Sequence, residues 1–183
     1  MPRIEFDELP DSSRVWVFGS DRPLSRDESD VLLESVDAFL DQWKAHGAPL
    51  RCAREWREQR FLAIGVDPSA EQASGCSIDG LFRGLKSLES RLATTLLTGG
   101  RVFYRDQKGR AQLALRNEVA QLFAVNVISE STPVFDTSVT DAAAWRGRFE
   151  RPLRDTWVAS LLPHQASHES SRAATNSSSA RKG

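Results

Sequence analysis

Histidine is scarce in this chain: there are three in 183 residues, and two of them, His164 and His168, fall in the last stretch. Cysteine is scarcer still, and Cys52 and Cys76 do not form a CxxC pair. Together these shortages exclude a structural zinc site of the usual kind. No run of apolar residues approaches the ~18 of a membrane span. The opening MPRIEFDELPDSSR carries Glu5, Asp7 and Glu8 where a signal peptide would be apolar. The expectation is therefore a soluble protein of the reducing cytoplasm with both thiols free. An excess of one charge is also missing. Lys and Arg number 24 against 25 Asp and Glu, a net charge of -1. That balance supplies no global field for DNA, RNA or an anionic membrane, and leaves only local basic patches.

A phosphate-binding loop is absent too. The nearest approach is Gly80-Leu-Phe-Arg-Gly84-Leu-Lys86-Ser87. A Walker A loop needs four residues between its glycines and Lys directly after the second, and both spacings fail here. The segment also lies within an amphipathic helical pattern, whereas a P-loop is bare backbone ahead of a helix. An ATPase of the P-loop class is not expected, and no cofactor or metal is implied.

What is present is the pattern of one α+β domain, in keeping with the length. Residues 1–13 read as a loosely attached arm. Arg14–Gly19 (RVWVFG) reads as a strand. Ser25 with Glu28 forms a capping box. The helix it opens is expected to run to about His46, burying Leu32, Val36, Phe39 and Trp43, with Leu33 and Leu40 beside them. Gly47 is its natural stop. Leu50–Trp56 and Arg60–Asp67 read as strands joined tightly through Arg57-Glu58-Gln59. Ser77 is a plausible cap for a second helix with Ile78, Leu81, Phe82, Leu85, Leu88 and Leu92 on one face. Arg101–Arg105 reads as a fourth strand.

The order β-α-β-β-α-β is that of a ferredoxin-like sheet with two helices on one face. The more apolar RVWVFG and FLAIGV suit its central positions, and the charged second and fourth strands its edges. Residues 14–106 form this core and 107–162 an extension. In the extension, Lys108-Gly109 turns the chain, Arg116–Phe123 looks helical and Pro133–Thr140 extended. Asp141 caps a last helix striped with Trp145, Phe149, Leu153, Trp157 and Leu161 and interrupted by Pro152. That helix needs a surface, and the open face of the sheet is the obvious one. Residues 163–183 are polar, without apolar period, and expected to be disordered.

The candidate chemistry gathers at one end of the predicted sheet. Cys76, in ASGCSID, stands at the opening of a helix, where free amides and the dipole favour thiolate. If the third strand ends where the second begins, the loop after Asp67 and the turn at His46 share an end of the domain. His46, Asp67, Cys76 and Asp79 then converge. A Cys–His pair with a carboxylate is the pattern of an activated nucleophile. It is equally the pattern of a capped structural corner, and a small buried thiol is the commoner case. His164 and His168, spaced i, i+4 in a polar tail, lack a third ligand. Asn176-Ser177-Ser178 is a chance sequon without a secretory signal. Arginines beside Trp56, Phe103 and Tyr104 do not follow the RNA-binding pattern of this fold.

RVWVF, QWKAHG, RFLAIGVD, ASGCSID, PVFDTSVT and a Trp-containing last helix follow one another over Arg14–Leu162. In this the chain resembles a group of small bacterial proteins of Bacteroidetes-like lineages that often carry the label "ABC transporter ATPase". The resemblance implies at most a link to a transporter, because Walker A, signature and Walker B sequences are all missing. Pro68 after Asp67, and Thr156-Trp157-Val158 in the last helix, depart from that group's pattern. Two readings stand from the residues: a binding or regulatory module for a protein or small molecule, and a thiol-dependent or acid/base enzyme using Cys76 and His46.

Overall fold

The computed structural model describes residues 3–69, 71, 73–97 and 99–163. The tail from His164 onward, with His168 and the sequon, lies outside them. The chain is α+β, with antiparallel sheets and four α-helices among the described residues.

In chain order the elements are strand β1 (Arg14–Gly19), helix α1 (Arg26–Leu40), and the two-residue strands β2 (Lys44–Ala45) and β3 (Ala48–Pro49). Strands β4 (Cys52–Arg57) and β5 (Phe61–Val66) follow, then helix α2 (Gly75–Leu92) and strands β6 (Arg101–Arg105) and β7 (Ala111–Leu115). Helix α3 (Val119–Ala124), strand β8 (Pro133–Phe135), helix α4 (Ala142–Arg148) and strand β9 (Glu150–Pro152) complete the set, with 3-10 turns at Phe6–Glu8, Leu153–Asp155 and Trp157–Leu161.

The Ser25 capping box forms as the local sequence dictates: the Glu28 amide donates to Ser25 Oγ, and the Ser25 amide donates to the Glu28 carboxylate. The helix ends at Leu40, short of the predicted His46. Trp43 leaves the helix to bury its ring, and its indole N–H donates to the Ser77 carbonyl at 2.9 Å. His46 (φ 52°) and Gly47 (φ 84°) are then the turn of the β2–β3 hairpin, so Gly47 serves a primed turn and not a helix stop. The cap of α2 is Ser74, whose Oγ accepts from the Ser77 amide, and Ser77 stands three residues inside. The Gly80–Ser87 segment lies wholly within α2.

β1, β5 and β4 form one antiparallel sheet in that order, with the neighbours and senses expected of the first three strands. The fourth does not join them. β6 pairs with β7 and β8 in a second sheet of order β7-β6-β8-β9. It is a central strand there, not an edge: Val102, Phe103 and Tyr104 are all buried, and alternate side chains feed two separate cores. Its hairpin partner β7 was not anticipated.

The layers follow from these faces. Leu32, Val36 and Leu40 of α1 and Leu81, Leu85 and Leu92 of α2 pack on Phe18, Leu62, Ile64 and Val66. The opposite face, Val15, Val17, Ala53, Phe61 and Ala63, meets Phe103 and Phe135 of the second sheet together with Trp145 and Phe149. Phe61 is the hub, with ring centroids 5.0 Å from Phe103, 4.8 Å from Phe135 and 5.2 Å from Phe149. Gly19 permits this approach, since a Cβ there would sit 2.8 Å from the Phe103 ring. The outer face of the second sheet carries Val102, Tyr104 and Val134 against Val119, Leu153 and Val158.

Two further expectations are corrected. The arm is docked: Phe6 and Leu9 are buried, the Ile4 amide donates to the Cys52 carbonyl, and Arg146 reaches the Phe6 and Leu9 carbonyls. The last helix stops at Arg148, because Pro152 brings no N–H to a helical ladder, and Glu150–Pro152 pairs with β8 instead. Asp141 does cap α4, and α4 does cover the sheet's free face.

Candidate functional site

Two hydrogen bonds link the segments that carry the predicted cluster. Trp43 ties the hairpin to the opening turn of α2, and the Asp67 amide donates to the Arg51 carbonyl. The four side chains are differently employed, however. Asp67 is buried and engaged: it accepts from the Ser69 amide at 2.9 Å and pairs with Arg51 at 2.9 Å. The Ser69 amide chiefly, and Arg51 with it, hold its carboxyl below the usual range. Cys76 is exposed in the first turn of α2, and His46 and Asp79 are exposed. Among the described residues no hydrogen bond joins any two of the four, and no group of His, Cys, Asp and Glu is placed to hold a metal ion. Cys52 is buried under α1, and burial pushes its thiol up to about 12.

A different place gathers polar chemistry. Where β6 begins and β7 ends, Gly100, Arg101, Arg116, Thr137, Ser138 and Trp157 border an open cleft of about 510 Å³. The local sequence explains each position. Gly100 takes φ 70°, a left-handed turn that delivers the chain into β6. The Arg116 amide donates to the Gly100 carbonyl, which closes the β6–β7 ladder and brings Arg116 beside Arg101. Its guanidinium lies over the Trp157 ring, 5.1 Å from the centroid. Thr137 and Ser138 lie in a turn fixed by buried Asp136, which accepts from the Ser138 amide and hydroxyl and from Arg151.

The electrostatics of the cleft are one-sided. At the far end of β6, Arg105 is neutralised by Glu58 and Glu150. Among the described residues neither Arg101 nor Arg116 forms an ion pair, and Arg101 Nη1 is buried without a hydrogen-bond partner. The Asp21 carboxylate feels Arg101. It is bonded to the Thr94 hydroxyl at 2.6 Å and feels Arg22 and Arg60 as well. Burial pushes the Asp21 carboxyl up, but the Thr94 hydroxyl, the Thr95 amide and the two neighbouring arginines outweigh it, and the net shift is downward. The Asp136 carboxylate behind the turn is already paired with Arg151.

None of these cleft residues was singled out as a site from the sequence. They come from four separated segments, and only the second sheet assembles them. The one local signal is Gly99-Gly100 ahead of an arginine-bearing strand.

Compared with family models, with curated proteins and with solved structures, the chain finds no match in any of the three. The likeness to the group labelled as transporter ATPases rests on the quoted segments alone.

Proposed function

We propose that this protein is a binding module whose ligand presents an anionic group, phosphate or carboxylate, to the cleft at Arg101 and Arg116. The observation that carries the proposal is the pair of guanidiniums without carboxylate partners among the described residues, one of them with a buried, unbonded Nη1. A guanidinium stays charged and its forked donors match phosphate and carboxylate oxygens. Leaving the buried Arg101 Nη1 donor unpaired is costly, and an anion that reaches it removes that cost. Trp157 offers a flat apolar wall, and Thr137 a hydroxyl.

The rival reading, a thiol enzyme, is favoured by the exposed position of Cys76 in the first turn of α2. Against it, Asp67 is already committed to Arg51 and Ser69, and among the described residues no hydrogen bond orients His46 toward the thiol. Calorimetric titration with inorganic phosphate separates the two. The binding reading expects saturable heat that Arg101→Met and Arg116→Met each weaken at least tenfold, and that Cys76→Ser leaves unchanged. The absence of saturable heat with phosphate and with acetate contradicts it.

A further inference from the structure

A second space adjoins the cleft. Thr137 and Ser138 also border a second open groove of about 400 Å³ that runs along the outer edge of β1. Its walls are apolar: Val17 and Phe18 of β1, Phe82 of α2, Leu97 and Val139. Phe82 is 37% exposed, a large ring left on the surface beside buried Leu81 and Leu85, and it packs edge-on against Phe18 with centroids 5.5 Å apart. This groove is the space the fourth strand was expected to fill. Because β6 pairs elsewhere, β1 keeps a free flank.

Resting on the anion-binding reading above, we infer that the ligand is an amphiphilic small molecule. Its phosphate or carboxylate head lies between Arg101 and Arg116, and an unbranched apolar arm lies in the groove beside β1. Charge complementarity fixes the head, and the border that the two spaces share at Thr137 and Ser138 sets where the arm goes. A peptide strand suits the groove less well. The two ends of the β1 edge are already closed, the Val15 amide on the Thr140 carbonyl at 2.8 Å and the Gly19 amide on the Leu96 carbonyl at 3.3 Å. A polypeptide there would find few main-chain partners for its own amides, whereas an alkyl chain has none to satisfy. The combined space is in the range of small-molecule sites that pair an apolar wall with a few placed polar groups.

The test is a calorimetric series on the full chain with inorganic phosphate, octyl phosphate below its micelle concentration, octanoate and octanol. The expected result is octyl phosphate binding at least about tenfold more tightly than inorganic phosphate, less than two buried methylenes would supply. Phe82→Ser should bring octyl phosphate back toward the affinity of phosphate and leave phosphate itself unaffected, with folding checked by thermal melting. The ratio of octyl phosphate to octanoate assigns the head to a phosphate monoester or a carboxylate. Equal binding of octyl phosphate and inorganic phosphate overturns the apolar arm and leaves the anion site standing. Octanol binding as tightly as octyl phosphate overturns the joined site. No binding by any of the anions overturns both.

Discussion

Phe61 shows how one side chain sets the layering. It is fully buried, and its ring touches aromatic rings from β6, β8 and the segment after α4. Truncating it leaves a void between two sheets that cannot both collapse. Phe61→Ala should therefore cost about 3–5 kcal/mol in urea unfolding. Phe82→Ala, at a ring 37% exposed, should cost less than about 1.5 kcal/mol. Similar losses at the two sites would mean that the sheets are not held through Phe61. The apolar character of FLAIGV was plain in the sequence. That its Phe faces a second sheet was not, because alternation assigns a residue to a face and says nothing of what covers it. Glu89 was missed for a related reason. From within an exposed-looking helical pattern its carboxylate reaches over the end of α2 to accept the Leu96 and Leu97 amides at 2.7 and 2.9 Å.

Elements whose ends are written locally were the legible ones. The Ser25–Glu28 box and the Asp141 cap are contacts three residues apart, and both form. Elements whose limits are set by distant partners were not. α1 stops early because Trp43 is drawn to Ser77, and the arm is held by Cys52 and Arg146, both far along the chain. The docked arm has a measurable consequence. Deleting residues 1–9 uncovers the surface that Phe6 and Leu9 bury, and should lower stability by about 3–5 kcal/mol. An unchanged melting temperature would restore the loose arm.

Acid should act on several elements together. For Asp37, Glu89 and Asp136 burial pushes the carboxyl up, and hydrogen-bonded partners more than offset it: Arg54 and Arg3, Lys86 with the Leu96 and Leu97 amides, and Ser138 with Arg151. All three pKa values end below their ordinary 3.8 to 4.5. Stability from such groups is complete above the unfolded pKa and is lost as pH falls through the folded one. Their contribution should stay level down to about pH 5 and decline below about pH 4.5. Glu89→Gln, which keeps an acceptor oxygen but no titration in this range, should make the decline shallower. An equally steep decline would remove Glu89 from the account.

At the scale of the whole molecule, what the chain order left open was the partner of Arg101–Arg105. An apolar strand flanked by arginines suits the edge of a four-stranded sheet and the middle of a second sheet alike. The choice depends on β7, β8 and β9, whose pairings span tens of residues. That choice shapes the proposed site as well as the fold. With β6 in the second sheet, Arg101 and Arg116 meet beside Trp157, and the flank of β1 is left open. The cluster of Cys76, His46, Asp67 and Asp79, by contrast, was expected from the strand senses within the first sheet, and it supplies no bonded constellation among the described residues.

No helix of the described residues is long and apolar enough to cross a membrane, and the proposed anion site lies in an open surface cleft. Amide and indole resonances in two-dimensional NMR, followed while inorganic phosphate is added, test this most directly. The account predicts saturable shifts concentrated at Gly100, Arg101, Arg116, Ser138 and the Trp157 indole, with Cys76 and His46 still. Shifts centred on Cys76 and His46, or none that saturate, would contradict it.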